Sequence, residues 1–169
     1  QTKHDILAKD IQWHMIGHLQ SNKIKYIAAF VDTIHSIDKL STLLEVNKRA
    51  KQHNREIKVL LQVYIAKEES KFGLEKDELI ELIESPEFKE LQNIKVVGLM
   101  GMATFTDNQT AVRNEFKELR TIFGEIKESH FNSDNSFSEI SMGMSGDYKI
   151  AINEGSTMVR VGSKIFGGR

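Results

Sequence analysis

Val59-Leu60-Leu61-Gln62-Val63-Tyr64-Ile65 is almost unbroken in apolar residues. A half-exposed strand alternates apolar with polar residues. A run this continuous reads instead as a strand covered on both faces, the habit of parallel sheets flanked by helices. Similar strand-like runs occur at Gln12–Ile16, Val31–His35, Ile94–Met100, Glu139–Met142 and Met158–Val161. Amphipathic segments separate them. Val112, Phe116, Leu119, Phe123 and Ile126 recur at helical spacing on one face, and Leu40, Leu43, Leu44, Asn47 and Ala50 trace a similar stripe. Thr2 to Lys9 also reads as helical. Asp77 and Glu78 open a further helix through Leu79, Leu82 and Ile83, placing carboxylates at the positive end of its dipole, and Pro86 lies where that helix must stop.

Six strand–helix units in strict alternation leave a doubly wound open sheet or a closed barrel. A complete (β/α)8 barrel of the TIM type runs to about 250 residues. The 169 residues here are therefore expected to form one domain, residues 1–169, equal to such a barrel without its first two β–α units. The chain opens on Gln1 and enters a helix-like stretch directly. About 60–70 further N-terminal residues are expected to precede it, as two units of typical barrel size.

Composition narrows the function. Hydrophobic residues make up 40% and charged residues 28% of the chain, as in ordinary globular domains. A formal net charge of −1 gives no concentrated basic surface for nucleic acid. The absence of cysteine removes disulfides and thiolate metal sites. No apolar run approaches the roughly 20 residues that span a bilayer. The expectation is a soluble protein.

The chemistry concentrates in the last third. Gly143-Met144-Ser145-Gly146-Asp147 follows one strand, and Gly162-Ser163 follows the next. Each turn sets a small residue and a hydroxyl at the start of a short helix, where free backbone N–H groups face an anion. In barrels, the loops after the last two strands commonly hold phosphate. Arg160 ends a buried strand, where a full charge needs a partner. It is expected either to pair with a neighbouring strand or to point into the barrel mouth toward a ligand.

Other signals carry less. Gly143-x-Ser145-Gly146-Asp147 lacks the final glycine of a hydrolase elbow, and no histidine follows it in the chain. His14 and His18 stand four apart, but on a strand and its turn and without an H-E-x-x-H pattern, so a metal site is not expected. Met100, Met102, Met142 and Met144 are expected to fill core gaps. Asn22 and Lys23 are expected at a helix start, as capping residues.

Trp13-His14-Met15-Ile16-Gly17-His18-Leu19-Gln20-Ser21-Asn22-Lys23 resembles the W-H-x-I-G-x-L-Q-x-N-K signature of the pyridoxal-phosphate homeostasis proteins. Ser70-Lys71-Phe72-Gly73, Gly98-Leu99-Met100, Ser141 to Asp147 and Gly155 to Gly167 match the same family in order. The resemblance covers the chain from Gln12 onward. It implies a barrel related to the alanine racemase N-terminal domain that binds pyridoxal 5′-phosphate. Such a protein would buffer the cofactor or deliver it to pyridoxal-dependent apoenzymes in the cytoplasm, without catalytic turnover, and is expected to be a monomer. It further implies that Ser145, Gly162 and Ser163 hold the phosphate and Arg160 the pyridine nitrogen. His14, Met144 and Gly146 are further candidate cofactor-binding residues, with a satisfied core histidine as the equal alternative for His14. Arginine only donates hydrogen bonds, so that nitrogen would stay unprotonated and the ring would be a poor electron sink.

The family's Schiff-base lysine and Gly-Glu-Asn segment have no counterpart in this sequence, and both are expected in the preceding segment. Lys58, Lys71 and Lys164 are poor substitutes, being respectively at the wrong strand end, in an outer loop and within the phosphate turn. Two alternatives stand beside this reading. One is a pyridoxal-dependent racemase, which would need a tyrosine from a second domain. The other is a sugar-phosphate barrel enzyme, which would need carboxylates at the strand ends.

Overall fold

The computed structural model of the chain describes residues 1–66 and 72–168. In chain order its elements are α1 (Thr2–Ile6), β1 (Trp13–Met15), α2 (Ser21–Ile24), β2 (Val31–Ile37), α3 (Leu40–Gln52), β3 (Ile57–Gln62) and α4 (Lys76–Glu84). They continue with α5 (Pro86–Lys89), β4 (Ile94–Met100), α6 (Gln109–His130), β5 (Glu139–Met144), α7 (Tyr148–Asn153), β6 (Met158–Arg160) and α8 (Ser163–Phe166). The strands form one sheet in the order β1-β2-β3-β4-β5-β6, and every neighbouring pair is parallel. Spatial order equals chain order. A doubly wound sheet reverses its strand order at a switch point, whereas a barrel never does. The barrel topology is thus the observed one, with β1 and β6 as the edges of the six-strand arc.

A side-chain contact shows how strongly the sheet curls. His35 on β2 and Ser141 on β5 are separated by three strand intervals, about 14 Å in a flat sheet. Their Nδ1 and Oγ atoms nevertheless lie 2.9 Å apart, which only a sheet bent around a shared interior permits. The outer, convex face carries the main core. Ile34, Ile37, Val59, Leu61, Leu99, Ile140 and Met142 from the strands pack there with Leu43 and Val46 of α3, Leu79 of α4 and the Phe116–Leu119–Phe123–Ile126 stripe of α6. A separate small cluster of Leu60, Val97 and Met100, with Met102 against it, fills part of the concave side.

Close backbone approach sets the sheet's shape at two glycines. A Cβ on Gly98 would fall 1.8 Å from the carbonyl oxygen of Glu139, so β4 and β5 can meet here only without a side chain. Gly143 has φ +95° and lies where a Cβ would meet Ala151 at 2.6 Å and the Cα of Tyr148 at 3.0 Å. The register slips between Ser141 and Met144 against β6, which places this glycine in a bulge.

Several expected boundaries move. β3 begins at Ile57 and ends at Gln62, earlier than the apolar run suggests. Val63 still donates to the Met100 carbonyl at 2.8 Å, but its one further bridge is to Leu74, in the segment leading into α4. β2 extends to Ile37 and β5 to Met144, whereas β1 and β6 contract to three residues each at the two edges. Thr2–Ile6 is shorter than the helix expected there. On α3 the buried stripe runs through Thr42, Leu43, Val46 and Ala50, while Leu44 turns outward. Val46, not Leu44, completes the i, i+3, i+7 pattern from Leu43. α4 stops at Glu84, before Pro86 as expected, and that proline then occupies the first turn of α5, where its missing N–H costs nothing. α2 is capped by Gln20 with no side-chain hydrogen bond, so Asn22 and Lys23 lie within the helix and do not cap it.

Candidate functional site

The arc has a cavity at each end. The one at the C-terminal strand ends has a volume of about 780 Å³ and is lined by Ile16, Phe105, Arg160 and the Met144–Asp147 and Val161–Ser163 turns, among others. A smaller one, about 360 Å³, lies at the strand starts beside Asp32, Lys58, Lys95 and Glu139. His14 borders both. The residues singled out from the sequence, namely Ser145, Arg160, Gly162, Ser163, His14, Met144 and Gly146, all line the larger cavity.

The two turns after β5 and β6 meet directly. Ser145 Oγ accepts hydrogen bonds from the backbone N–H of Gly162 at 3.1 Å and of Lys164 at 3.5 Å. The bulge at Gly143 brings this about, because it turns the chain sharply enough for α7 to start against β6. Asp147 closes the same turn by accepting from the Met144 N–H at 2.6 Å, which directs its carboxylate into its own loop. Lys164 extends over the Tyr148 ring, 4.8 Å from its centroid. Met144 is 38% exposed and borders the cavity; unlike the buried Met100 and Met142, it is not a core filler. The bulge inverts the alternation that would have buried it.

Arg160 is half-buried among neutral acceptors. Its Nη1 donates to the carbonyl and to the hydroxyl of Ser141, each at 2.7 Å, and its Nη2 to the Gly101 carbonyl at 3.0 Å. Among the described residues no carboxylate forms an ion pair with it, so the cross-strand salt bridge considered from the sequence is absent there. Burial pushes its pKa down to about 10, against a smaller opposing pull from Asp147. A guanidinium has five N–H donors. Three are used in these bonds, and among the described residues no partner takes the other two.

Beneath Arg160 lies a chain of polar groups that no linear motif announces. His35, 1% exposed, places Nδ1 2.9 Å from Ser141 Oγ and Nε2 2.9 Å from His14 Nδ1. Burial first, then the positive charges possible at His14 and Arg160, hold its pKa down at about 3, so the ring is neutral. His14 Nε2 faces Asp32 Oδ2 at 3.7 Å. Burial works against the Asp32 carboxylate, but the Thr33 hydroxyl, Lys58 and His14 outweigh it and keep its pKa below the usual range. One sequence signal was available: in buried β5 the polar Glu139 and Ser141 alternate with the apolar Ile140 and Met142, marking a face turned to a polar interior. Glu115 on α6 was also missed. It is 2% exposed and accepts from Thr104 N at 2.7 Å and Thr104 Oγ1 at 2.8 Å, which fixes the loop carrying Phe105 to the cavity mouth.

Of the lysines weighed for covalent attachment, Lys58 belongs to the opposite cavity and pairs with Asp32 at 3.5 Å. Lys71 lies outside the described residues. No group of His, Cys, Asp and Glu suited to a metal ion occurs among the described residues. No helix among them is long and apolar enough to cross a membrane.

Comparison with known proteins adds the family. The sequence matches the family described as alanine racemase, N-terminal domain, over residues 5–169. It is 41% identical over 160 residues to the pyridoxal phosphate homeostasis protein of Aquifex aeolicus, covering 95% of this chain and 68% of that one. A Bifidobacterium adolescentis protein of known structure is 38% identical, with a TM-score of 0.83 over 92% of this chain and 61% of its own. PipY of Synechococcus elongatus, solved with pyridoxal phosphate bound, is 32% identical, with a TM-score of 0.83 over 98% of this chain and 74% of its own. The chain thus spans between about three fifths and three quarters of the length of these relatives. With its fold, its ordered motifs and this degree of identity, the chain belongs to the pyridoxal phosphate homeostasis protein family.

Proposed function

We propose that the protein binds pyridoxal 5′-phosphate in the cavity at the C-terminal strand ends. It would serve cofactor homeostasis in the cytoplasm, holding the cofactor and releasing it to apoenzymes without catalysing turnover. The observation that carries this reading is the cationic, donor-only fork of Arg160, held in a cavity wall with the Ser145 and Ser163 turns beside it. The donor set suits the ligand. A phosphate needs several donors, and the Ser145 and Ser163 hydroxyls with the N–H groups of Gly162 and Ser163 supply that type. A pyridine nitrogen needs one donor, and Arg160 has two N–H groups to offer.

When bound, the cofactor can withdraw electrons from an attached amine through its ring. Arg160 opposes that use. Even with its pKa lowered to about 10 it remains protonated at neutral pH, so a ring nitrogen facing it stays unprotonated and withdraws poorly. Among the described residues no lysine lines this cavity, so the residues that line it are expected to hold the cofactor through non-covalent contacts.

The test is equilibrium dialysis against pyridoxal 5′-phosphate, pyridoxal and a sugar phosphate. Preferred uptake of pyridoxal 5′-phosphate over both is expected, with weaker but still measurable uptake in Arg160→Glu. Equal binding of the sugar phosphate would replace this reading with a general phosphate site, and absence of uptake would remove it.

A further inference from the structure

Arg160 is a long side chain at the end of a three-residue edge strand, yet its fork meets three acceptors at 2.7 to 3.0 Å. Something must hold those acceptors still. Two are carbonyls, at Gly101 and Ser141. The third is the Ser141 hydroxyl, which is free to rotate unless its own hydrogen is engaged.

Donor and acceptor roles along the chain beneath it follow from one constraint. Arginine can only donate, so Ser141 Oγ accepts from Arg160 Nη1. The hydroxyl then has one hydrogen to give. Among the described residues the acceptor within reach is His35 Nδ1 at 2.9 Å, which must therefore be bare. A neutral His35 with bare Nδ1 carries its hydrogen on Nε2 and donates it to His14 Nδ1, 2.9 Å away. His14 in turn carries its hydrogen on Nε2, toward Asp32. The bonds run in one direction, from β6 to β5, across the arc to β2, and on to β1.

From this we infer that His35 and Ser141 are positioning residues for Arg160: His35 locks the Ser141 hydroxyl, and the locked hydroxyl aims the guanidinium into the cavity. The inference deepens the preceding reading and rests on it only for what Arg160 is aimed at. Its first consequence is a single His35 tautomer. Its second is that Arg160 is ordered before any ligand arrives, which lowers the entropic cost of binding.

Two replacements separate the two ends of the imidazole. Asn places its side-chain oxygen about where Nδ1 sits and can still accept from Ser141. Gln reaches to about the Nε2 position and keeps only the His14 end. His35→Leu keeps neither.

The experiment is 15N NMR of the ligand-free protein, reading the His35 ring nitrogens and the mobility of the Arg160 side chain. We expect a bare Nδ1, a protonated Nε2 and a rigid Arg160. Arg160 should become mobile in His35→Leu and His35→Gln and be ordered again in His35→Asn. Affinity for pyridoxal 5′-phosphate should follow the same order, with a loss of roughly tenfold in the first two, the usual scale for a hydrogen bond to a charged group. A proton on Nδ1 of His35 would overturn the inference, as would an Arg160 equally rigid in all variants. If a variant fails to fold, the tautomer of the parent protein still decides. If the parent takes up no pyridoxal phosphate, the function falls, and the NMR result still decides whether His35 and Ser141 position Arg160.

Discussion

Ser145 Oγ lies 3.1 Å from the backbone nitrogen of Gly162, tying the turn after β5 to the turn after β6. The hydroxyl sits at the start of α8 and accepts from N–H groups that would otherwise point at a ligand. A bound phosphate would share those donors with it, or displace it.

This arrangement gives the first prediction. Ser145→Asp or Ser163→Asp places a carboxylate where a phosphate oxygen is expected, and like charges in a partly dry site repel by on the order of 1–2 kcal/mol or more. Affinity for pyridoxal 5′-phosphate should fall at least about tenfold, while affinity for pyridoxal, which carries no phosphate, should change little. Dialysis with both ligands checks this. Unchanged binding of pyridoxal 5′-phosphate in both variants would move the cradle elsewhere.

The second concerns Arg160 and the ring. Arg160→Glu exchanges a permanent donor for a group that can share a proton with the pyridine nitrogen. The absorption maximum of the bound cofactor and its titration with pH should both change. A spectrum identical to that of the parent protein would leave Arg160 with a purely structural role in linking β4, β5 and β6.

The third follows from His35. Its pKa is held near 3, against an ordinary value of about 6.5 for an exposed imidazole. Below pH 6.5 the unfolded chain binds a proton there that the folded chain refuses, until the pH nears 3. Stability therefore falls as pH drops through that window, by on the order of a few kcal/mol. In His35→Asn this titration is removed, so urea midpoints compared at pH 7 and pH 4.5 should differ less than in the parent protein. An equal pH dependence in both would show that other groups cause the acid loss.

How much of this was legible in the sequence depends on what each feature needs. The bounds of β4 agree to the residue, because Ile94 to Met100 is interrupted by a single charged residue, Lys95, and follows the polar Gln92-Asn93. The alternation alone leaves barrel topology as one of two options, and the chain's length with its resemblance to the family selects the barrel. Chain-ordered strands and reversed strands share the same alternation, and the observed pairing tells them apart. Arg160 and the two turns could be found because each stands beside a strand end in one contiguous stretch. The link from His35 to Ser141 could not. These residues stand 106 positions apart, and they meet because the sheet curls, a property set by twist and crossover packing, not by any local spacing. Leu44, and Met144 as a core filler, depart from expectation for a related reason. A one-residue choice of helical face, and a bulge at Gly143, each reverse which side chain is buried.

The last prediction separates the fold from the site through two glycines. Gly98 sits in the middle of β4, and a methyl group there would lie 1.8 Å from the Glu139 carbonyl oxygen. That obstacle is backbone in the adjacent strand, so it cannot move without parting β4 from β5. Gly98→Ala should cost several kcal/mol, at the severe end of single substitutions, and should lower the melting temperature sharply or prevent folding. Gly143 poses a different problem. Its φ of +95° strains an alanine by about 1–3 kcal/mol, and the closest obstacle is Ala151 Cβ at 2.6 Å on the short helix α7. α7 is six residues long and can shift, carrying the Ser145 turn with it. Gly143→Ala should therefore keep most of its helical and strand signal while losing cofactor affinity through a displaced Ser145–Gly162 contact. Circular dichroism, thermal melting and dialysis on the two variants provide the comparison. Equal losses of stability, with equal cofactor affinity in whatever remains folded, would show that the bulge at Gly143 serves the sheet alone and has no part in shaping the binding turn.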